Sequence, residues 1–336
     1  MRFLITGISG FVGSTFTDYI LEKVPDVQVY AIRRWKSDDS NIRHFFGDYR
    51  VRFIEADLTD RGSLNKLIRE AVPDYVVHFA AQSYPSSSFE SPVHTLMTNG
   101  VGTLNLLDEL RIAKRDGVCD PTILSVSSSE VYGMPKENEV PMTETNPIRA
   151  ANPYSISKVS HDLFSQMYHS AYGLKVIITR MFSHEGKRRG KHFALSNFAY
   201  QIASHEHNFV NLTKYEPPFD IRVGNLNSVR TYAHIDDAVR AYWLALTEGK
   251  IGEVYNIGGK YTCTVGDALE DLLSKSFISR DSFRIVVDPN RIRPTDISLQ
   301  IPSCEKFNRD TGWGPVKTLH DITTDLLEYW RAEIQK

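Results

Sequence analysis

Short apolar runs alternate with longer amphipathic segments through the first half of the chain. The first run, Phe3-Leu4-Ile5-Thr6, has the continuous apolar character of a strand that is buried on both faces of a parallel sheet. Similar runs recur at intervals that leave room for a helix between them. They predict strands at residues 3–6, 27–32, 52–58, 75–81, 122–126 and 174–180. This alternation of strand and helix predicts an α/β protein with a doubly wound parallel sheet.

Two helices within this alternation have clear patterns. Residues 92–115 predict one long helix with leucines on its inner side, and Asn99 on that helix is expected to face the central strand ends. Farther along, Asn152 is a favourable N-cap and Pro153 a favourable first helical residue. A second helix is therefore predicted to begin at Pro153.

The alternation changes after Phe182. Residues 183–192 are polar, basic and interrupted by glycines, which predicts a loop that meets an anion. From Phe193 onward, helices and short strands mix with proline-rich links. We therefore predict a sheet domain at residues 1–182, with a return segment at about 225–260, and a smaller mixed α/β substrate domain mainly at residues 183–336.

Composition and charge indicate a soluble globular protein and give no sign of nucleic-acid binding or of a membrane span. Of the 336 residues, 41% are hydrophobic and 24% are charged, which is ordinary for a soluble globular chain. The net charge of -2 gives no electrostatic reason to expect nucleic acid as a partner. No apolar run approaches the roughly 18 residues of a membrane span, and the N-terminal run breaks at Gly7, which favours a first strand over a signal peptide.

The cysteines bear on the compartment. Cys119, Cys263 and Cys304 lack the spacing of a metal site or a redox motif. Unpaired thiols are typical of a reducing environment. The sequence therefore predicts a cytoplasmic protein that has no metal site and does not bind a membrane.

A glycine-rich turn follows the first predicted strand. Gly7, Gly10 and Gly13 lie between that strand and a helix that continues to Glu22. Strand, glycine turn and helix form the context of a dinucleotide site, because the turn lets the backbone approach a pyrophosphate and the helix N-terminus faces its charge. The alternative is a tight turn that binds nothing.

Basic residues end the second predicted strand, where an NAD site usually carries an acid. Arg33 and Arg34 lie there, with Ser37 close behind. Adjacent guanidinium groups suit a 2′-phosphate and so favour NADP, although surface charge is the alternative. Asp57, at the end of the third strand, is a candidate acceptor for the adenine amino group.

The fourth predicted strand ends in small residues. Ala80 and Ala81 leave room for a cofactor to pass. His78, just before them, is interpreted as a packed core residue and not as a catalyst.

Two segments bring together the groups that could carry chemistry. Ser128 and Glu130 follow the fifth strand, and side chains two residues apart in an extended segment point the same way. Tyr154 and Lys158 share one face of the next helix, where the ammonium is expected to lower the pKa of the phenol. Such a set can transfer protons to and from both oxygen and carbon. For Glu130, the alternative is a capping or salt-bridged carboxylate.

The second half supplies cations that suit a phosphorylated substrate. Arg230, Arg293 and the basic loop at residues 183–192 are candidates for binding a diphosphate, and scattered surface charge is the alternative. Asp236 and Asp237 begin a helix and are interpreted as caps at its positive end.

The motifs together resemble the extended short-chain dehydrogenase/reductase family. Thr6-Gly7-Ile8-Ser9-Gly10-Phe11-Val12-Gly13 and Tyr154-Ser155-Ile156-Ser157-Lys158 match its two hallmark motifs in order and position. The resemblance covers essentially the whole chain. It implies a Rossmann domain, a small sugar-nucleotide domain and a bound nicotinamide cofactor.

Within that family the chain is most similar to the GDP-mannose 4,6-dehydratases. Ser127-Ser128-Ser129-Glu130 is similar to their Ser-Thr-Ser-Glu, and residues 182–190 resemble their Phe-Asn-His-Glu-Ser-Pro-x-Arg-Gly loop. Three departures lie around the substrate: Ser183 replaces asparagine, Thr231-Tyr232 replaces Asp-Trp, and Asp296 replaces glutamate. They affect which sugar is bound more than which reaction occurs.

The resemblance also assigns the remaining site residues. The implied cofactor contacts add Thr6, Phe11, Val12, Leu58, Phe79, His184 and Arg189, together with Tyr154 and Lys158. The implied substrate contacts are Ser83, Ser128, Ser129, Glu130, Ser183, Lys191, Phe193, Ala194, Asn225, Arg230, Arg293 and Asp296.

The expected function is that of an NADP-dependent hydro-lyase that converts a GDP-hexose to its 4-keto-6-deoxy form. GDP-mannose and GDP-manno-heptose are the candidate substrates. The alternatives are a reductase of the keto product, a UDP-sugar epimerase or decarboxylase, and a non-catalytic sugar-nucleotide binder. The resemblance further implies a homodimer or homotetramer.

Overall fold

The computed structural model describes residues 1–336. Its strands, in chain order, are β1 (Arg2–Thr6), β2 (Gln28–Arg33), β3 (Val51–Glu55), β4 (Tyr75–His78), β5 (Thr122–Val126), β6 (Lys175–Met181), β7 (His184–Glu185), β8 (Phe219–Val223), β9 (Val229–His234), β10 (Val254–Ile257), β11 (Tyr261–Thr264), β12 (Phe283–Val287) and β13 (Leu299–Gln300). Its α-helices are α1 (Phe11–Lys23), α2 (Arg61–Ala71), α3 (Pro85–Glu90), α4 (Pro92–Leu96), α5 (Gly102–Arg115), α6 (Pro153–Tyr172), α7 (Ala194–Asn211), α8 (Ile235–Glu248), α9 (Val265–Leu273), α10 (Glu305–Thr311) and α11 (Leu319–Ile334).

Seven parallel strands form the main sheet in the order β10-β6-β5-β4-β1-β2-β3. The chain moves outward from β1 to β3 and then returns to the other side of β1 with β4. This reversal leaves a crevice at the carboxyl ends of β1 and β4, where ligands bind in sheets of this kind. The predicted doubly wound sheet is confirmed.

The apolar character of the strands follows from burial on both faces. In β1, Ile5 belongs to the core that lies under α1 and α8, whereas its neighbour Leu4 belongs to the core under α2 and α5. Because successive side chains in a strand point to opposite faces, both must be apolar. The sheet thereby holds the carboxyl ends of its strands along one edge.

The smaller unit is a mixture of short sheets and helices. β8 pairs with β12, and β9 lies between β11 and β13 with β7 also paired to it. Helices α7, α9 and α11 share a second core with these strands, which includes Phe198, Ile221 and Leu326. Between two passes through this unit the chain returns to the main sheet, where β10 pairs with β6.

The predicted helix at residues 92–115 is interrupted. A π-helical turn, Met97–Val101, separates α4 from α5 and contains Asn99. The Asn99 side chain accepts from the Gln82 amide at 2.7 Å, and donates to the Gln82 carbonyl at 2.9 Å and to Ser157 Oγ at 2.9 Å. The prediction of one regular helix is therefore wrong, because these bonds fix the segment after β4 to α6 through a widened turn.

The buried His78 is a packed core residue, as predicted. Its Nδ1 lies 2.7 Å from Thr6 Oγ1 and its Nε2 lies 2.9 Å from Thr103 Oγ1. Both ring nitrogens are thus satisfied inside the sheet. Burial lowers the pKa of His78 to about 3, so the ring is neutral.

The two aspartates at the start of α8 have different roles. The N-cap is His234, and Asp236 and Asp237 occupy the first turn. Asp237 is buried, and its Oδ2 accepts from the amides of Val316 at 3.0 Å and Lys317 at 2.9 Å. Asp237 therefore anchors the C-terminal segment. Both aspartates lie at the positive end of the helix as predicted, but neither is the N-cap, so their interpretation as caps is wrong.

The three cysteines are unpaired, in agreement with the sequence prediction. Among the helices, none combines the length and the apolar character that crossing a membrane would require.

Candidate active site

A cavity of about 980 Å³ lies along the carboxyl ends of the main sheet and extends to the smaller unit. All of the predicted site residues line it except Thr6 and Arg33. Those that do are Gly7, Gly10, Phe11, Val12, Gly13, Arg34, Ser37, Asp57, Leu58, Phe79, Ala80, Ala81, Ser83, Ser128, Ser129, Glu130, Tyr154, Lys158, Ser183, His184, Arg189, Lys191, Phe193, Ala194, Asn225, Arg230, Arg293 and Asp296.

Close backbone packing forms the turn after β1. Gly7 has φ +76°, and a Cβ on it would lie 2.7 Å from the Ala80 amide nitrogen. A Cβ on Gly13 would lie 2.2 Å from the Gly7 carbonyl oxygen. Thr6 supports this turn from beneath, since its Oγ1 accepts from the Ala80 amide at 3.1 Å. Thr6 therefore positions the site without lining it.

The start of α1 fits a pyrophosphate. Its N-cap, Gly10, makes no side-chain cap, and the first turn carries no acidic residue. The amide groups of this turn are therefore not capped by the protein's own side chains. Uncapped amides and the positive end of the helix dipole suit an anion, so this part of the cavity fits a nicotinamide dinucleotide.

The two adjacent arginines after β2 differ. The guanidinium of Arg33 is held by Asp39, with Nε at 2.8 Å from Oδ1, and it does not line the cavity. Arg34 and Ser37 do line it, and the Arg34 amide donates to Ser37 Oγ at 3.1 Å. The prediction that both arginines face a 2′-phosphate is therefore wrong for Arg33, because its charge is already paired.

The segment after β5 is not extended as predicted. Ser128 is the N-cap of a 3-10 turn, Ser129–Tyr132, and its Oγ accepts from the Glu130 amide at 3.2 Å. Both side chains still line the cavity. Glu130 Oε2 accepts from Asn152 Nδ2 at 2.9 Å, which joins the carboxylate to the start of α6.

Capping fixes the helix that carries Tyr154 and Lys158. Asn152 Oδ1 accepts from the Ser155 amide at 2.8 Å, and Pro153 is the first helical residue, as predicted. Tyr154 and Lys158 therefore face the cavity from the first two turns. The Lys158 ammonium donates to the Val126 carbonyl at 2.6 Å.

Burial controls the protonation of both groups. It raises the pKa of Tyr154 to about 12, and the nearby Ser128 hydroxyl and Arg189 guanidinium only partly oppose this. It lowers the pKa of Lys158 to about 7. The prediction that Lys158 lowers the Tyr154 pKa is wrong for this structure, in which desolvation is the largest effect on each group.

The far end of the cavity is cationic and is organised by one carboxylate. Asp296 accepts from Asn225 at 2.8 Å and from Ser228 at 2.9 Å, and it lies 3.7 Å from the Arg230 guanidinium. Arg293 has no acidic partner, and its Nε donates to Ser86 Oγ at 3.0 Å. This arrangement leaves positive charge for an anionic ligand.

Comparison with known proteins identifies the family to which this chain belongs. The family described as "GDP-mannose 4,6 dehydratase" matches residues 4–326. The chain belongs to this family. Its resemblance to the extended short-chain dehydrogenases is thereby confirmed, and so is the prediction of an enzyme of the hydro-lyase class.

Similar proteins include enzymes named for two different activities, a dehydratase and a reductase. A GDP-mannose 4,6-dehydratase of Yersinia enterocolitica is 28% identical and aligns over 96% of this chain and 92% of its own length. A GDP-6-deoxy-D-mannose reductase of Pseudomonas aeruginosa is also 28% identical, over 100% of this chain and 99% of its own.

A solved structure agrees with the whole fold. The dTDP-glucose 4,6-dehydratase DesIV of Streptomyces venezuelae, with NAD bound, superposes with a TM-score of 0.82 at 28% identity, covering 100% of this chain and 98% of that one. A nicotinamide dinucleotide is thus a cofactor of a neighbour with the same fold.

The loop after β6 packs against the glycine turn of this dehydratase-family site. The His184 ring stacks on Phe11 with a centroid distance of 5.7 Å. The Arg189 guanidinium lies 3.4 Å from the centroid of the Phe193 ring and 5.2 Å from that of Phe11. The predicted anion-meeting loop is therefore held between the two halves of the cavity.

Several buried residues with polar groups line the cavity although the sequence analysis did not assign them to the site, and Glu185 and Tyr242 are among them. Glu185 lies 3.5 Å from Arg189, and burial raises its pKa to about 7. Tyr232 and Tyr242 also line the cavity. Glu185 could have been noticed beside His184 in the polar loop, whereas Tyr242 is indistinguishable from a core residue of an amphipathic helix.

One residue that departs from the family pattern points away from the cavity. Thr231 Oγ1 lies 2.7 Å from Thr262 Oγ1 on the neighbouring strand β11. Tyr232, the next residue, lines the cavity. Of this pair, only Tyr232 is thus placed to affect the choice of sugar.

Proposed function

We propose that this protein is an NADP-dependent 4,6-dehydratase of a GDP-hexose, either GDP-mannose or a close relative such as GDP-manno-heptose. The observation that carries the proposal is the convergence of Ser128, Glu130, Tyr154 and Lys158 on one cavity. One end of that cavity fits a dinucleotide, and the other carries unpaired positive charge. Family membership supports the same reaction.

Oxidation at C4 of the sugar begins the reaction. When bound, the nicotinamide cofactor supplies reversible hydride transfer. Tyr154 takes the proton of the 4-hydroxyl, and Ser128 hydrogen-bonds the same oxygen. The Ser128 hydroxyl and the Arg189 guanidinium partly offset the cost that burial adds to forming the Tyr154 phenolate. We assign Lys158, one turn farther along α6, to holding the cofactor in the same cavity.

Elimination of water requires a separate base, and Glu130 is placed for it. A ketone at C4 acidifies the hydrogen at C5, and Glu130 removes that proton. The hydroxyl at C6 would depart with the proton that Glu130 has taken up, so that one water is lost. The 4-keto-6-deoxy product then needs a hydride at C6, which a bound nicotinamide cofactor would supply, and a proton at C5, which Tyr154 would return; the overall reaction has no net oxidation. The Asn152 hydrogen bond orients the Glu130 carboxylate for this step.

The choice of NADP rests on Arg34 and Ser37. Both line the cavity at the end of β2, where a 2′-phosphate would lie, and no acid takes the usual place of a 2′-hydroxyl acceptor. The structural neighbour DesIV contains NAD, so the proposal depends on these residues of the chain.

The choice of a GDP-sugar rests on charge and on family. Arg230, Arg293 and Lys191 line the far end of the cavity and suit a diphosphate. Guanine and mannose come from the family and from the Yersinia relative.

The decisive experiment uses the purified protein, NADP and a panel of GDP- and UDP-hexoses with no added reductant. A product lighter by one water supports the dehydratase, and its identity gives the substrate. Intact sugar nucleotide in every reaction would contradict the proposal. Two functions would then remain, a reductase such as the Pseudomonas relative and a binding protein. A keto-sugar substrate with NADPH distinguishes them, because only a reductase would consume the NADPH.

Glu130→Gln tests the assigned base. The change keeps the shape and the Asn152 contact but removes the proton acceptor, so dehydration should fall by roughly 10²–10⁴-fold while reduction of bound NADP in a single turnover survives in part. Exposed Glu137→Gln, seven residues away, is the matched control. Wild-type dehydration and solvent deuterium incorporation at C5 in Glu130→Gln would show that Glu130 is structural.

We also propose that the protein is a homodimer or a homotetramer. Large apolar side chains are exposed on neighbouring helices: Val93 and Leu96 on α4, and Ile156, Leu163 and Met167 on α6. Exposed apolar surface of this kind is typical of an interface between subunits. Leu163→Glu should give a monomer by light scattering, whereas the exposed Lys66→Glu on α2 should not. A monomeric wild type at micromolar concentration would contradict the proposal.

A further inference from the structure

A chain of buried polar side chains lies beneath the cavity, outside the groups assigned to catalysis. It includes two stacked imidazoles, His78 and His161, with centroids 5.1 Å apart and an interplanar angle of 8°. Both rings are buried. His161 Nδ1 lies 3.2 Å from the Lys158 ammonium, so this ring contacts a residue that the proposed reaction requires.

The contact with Lys158 assigns the tautomer of His161. An ammonium has no lone pair, so the Lys158 contact at 3.2 Å needs an accepting Nδ1 and places the ring proton on Nε2. The other side of the ring is consistent with this assignment. Ser165 Oγ donates to the His161 carbonyl at 2.9 Å, which leaves it to accept from Ser125 Oγ at 2.6 Å, and Ser125 to accept from His161 Nε2 at 2.7 Å.

The contacts of His161 Nδ1 identify the group that donates to its lone pair. Thr103 Oγ1 lies 2.9 Å from His161 Nδ1, but its single proton is given to the Asn99 carbonyl at the shorter distance of 2.6 Å. Thr103 also accepts from His78 Nε2 at 2.9 Å. The Lys158 ammonium is then the group that donates to His161 Nδ1.

We propose that His161 is a positioning residue for Lys158: its neutral ring accepts one ammonium proton and so aims another at the cavity. Of the three N–H groups of Lys158, one is held by the Val126 carbonyl and one by His161. The third remains for the cavity that Lys158 lines. The proposal deepens the dehydratase function and rests on it, because it assigns a role in that reaction.

The charges around Lys158 give the direction of the expected pH effect. Burial lowers the pKa of Lys158 to about 7, and the Asp162 carboxylate, paired with Arg180 on β6, raises it. A neutral acceptor at His161 also favours the ammonium. Burial keeps the pKa of His161 well below its usual value, with Lys158 and His78 acting in the same direction. His161 therefore stays an acceptor throughout the working pH range.

Removal of that acceptor should move the alkaline limit of activity. The ammonium form of Lys158 is required, so the rate of the first oxidation falls as pH rises through the Lys158 pKa. His161→Leu should shift that fall to lower pH by about one unit, as expected for the loss of a hydrogen bond to a charged group. His161→Asn places an oxygen near the position of Nδ1 and should restore most of the shift.

Tyr168→Phe is the matched control. It removes a hydrogen bond, to Asp108 at 3.2 Å, from the same helix and leaves the partners of His161 and Lys158 in place, so its thermal stability should fall while the pH limit stays at the wild-type value. An equal shift in Tyr168→Phe, or no shift in His161→Leu with His161→Asn unchanged too, would overturn the proposal by showing that His161 only packs.

Nuclear magnetic resonance tests the proposal without any turnover. In the wild type labelled with ¹⁵N-histidine, His161 should show a neutral ring protonated at Nε2, and an Nδ1-protonated ring would overturn the proposal. In protein labelled with ¹³C-lysine, the Lys158 resonance, assigned by Lys158→Arg, should titrate about one pH unit lower in His161→Leu. These two measurements stand even if no sugar nucleotide is dehydrated, so failure of the proposed function and failure of this inference are distinguishable.

Discussion

The two ends of the cavity are built in different ways. The cofactor wall, whose lining residues come from the segments 7–13, 34–37, 57–58 and 79–81, consists largely of backbone and small side chains at the ends of strands. The substrate wall, whose lining residues come from the segments 183–198, 224–232 and 288–296, is rich in long charged and aromatic side chains from the smaller unit. The shape of the cofactor wall depends on how closely main-chain segments approach one another. The charge of the substrate wall depends on which of its side chains are paired with one another.

This difference has a consequence for substitutions. In the cofactor wall, one added methyl group meets backbone that cannot move, as at Gly13. In the substrate wall, a lost side chain leaves neighbours that can take over part of its role, since Arg230, Arg293 and Lys191 line the same region. We therefore expect abrupt loss of function in the first and graded loss in the second.

Gly13→Ala should have the largest effect. The new Cβ would lie 2.2 Å from the Gly7 carbonyl oxygen, so the turn must open and the uncapped start of α1 must move. Cofactor affinity should fall by on the order of 100-fold, with a stability loss of about 1–3 kcal/mol from overpacking. Titration with NADP and thermal unfolding measure the two effects.

Gly266→Ala provides the control for that change. It lies in the first turn of α9, and the nearest atom to its added Cβ is 3.5 Å away. Cofactor affinity there should stay at the wild-type level. If Gly13→Ala also bound NADP normally, the contrast between the two walls would fail.

Arg34→Ala should have the next largest effect, and Arg33→Ala is its natural comparison. Only Arg34 lines the cavity, so its loss should weaken NADP by roughly 10–100-fold while leaving NAD nearly unchanged, in line with a charge-assisted hydrogen bond to phosphate. Arg33→Ala breaks the pair with Asp39 and should change the NADP-to-NAD ratio little. Equal effects of the two changes would mean that the loop rearranges around the cofactor.

Arg293→Ala should have the smallest effect of the three. The residue lines the substrate wall without an acidic partner, so its loss should raise KM for the sugar nucleotide by about tenfold, the lower end for a hydrogen bond to a charged group. Affinity for NADP should not change. Arg291→Ala, whose guanidinium is 3.5 Å from Asp288, is the comparison and should raise KM less. A change in NADP affinity with Arg293→Ala would contradict the assignment of this wall to the substrate.

The same contrast explains which features the sequence could predict. The positions of the first six strands of the main sheet along the chain, the glycine turn and the start of α6 at Pro153 follow from local patterns, namely apolar runs, close glycine spacing and a capping asparagine. Each of these features is determined by a few neighbouring residues, so the sequence alone can predict it. The candidate catalytic groups, each of which follows a strand or begins a helix, all line the cavity.

Features decided by distant neighbours could not be predicted. Asp39 removes Arg33 from the cavity, and burial among residues far apart in the chain reverses the expected shift of the Tyr154 pKa. Asn99 widens its helix because Gln82 and Ser157 bond to it. In each case the deciding partner is identified only when the chain has folded.

The path of the chain between the two cores has a mechanical consequence. The backbone passes from one core to the other after β6, before α8, after β10, before α10 and again after α10, where Trp313 donates to the Asp237 carbonyl at 3.1 Å. Wide opening of the two halves would have to bend the backbone at all five links at once. We therefore expect ligands to enter and leave by movement of loops at the rim of the cavity. Turnover should then remain possible in a protein whose two halves are cross-linked to each other.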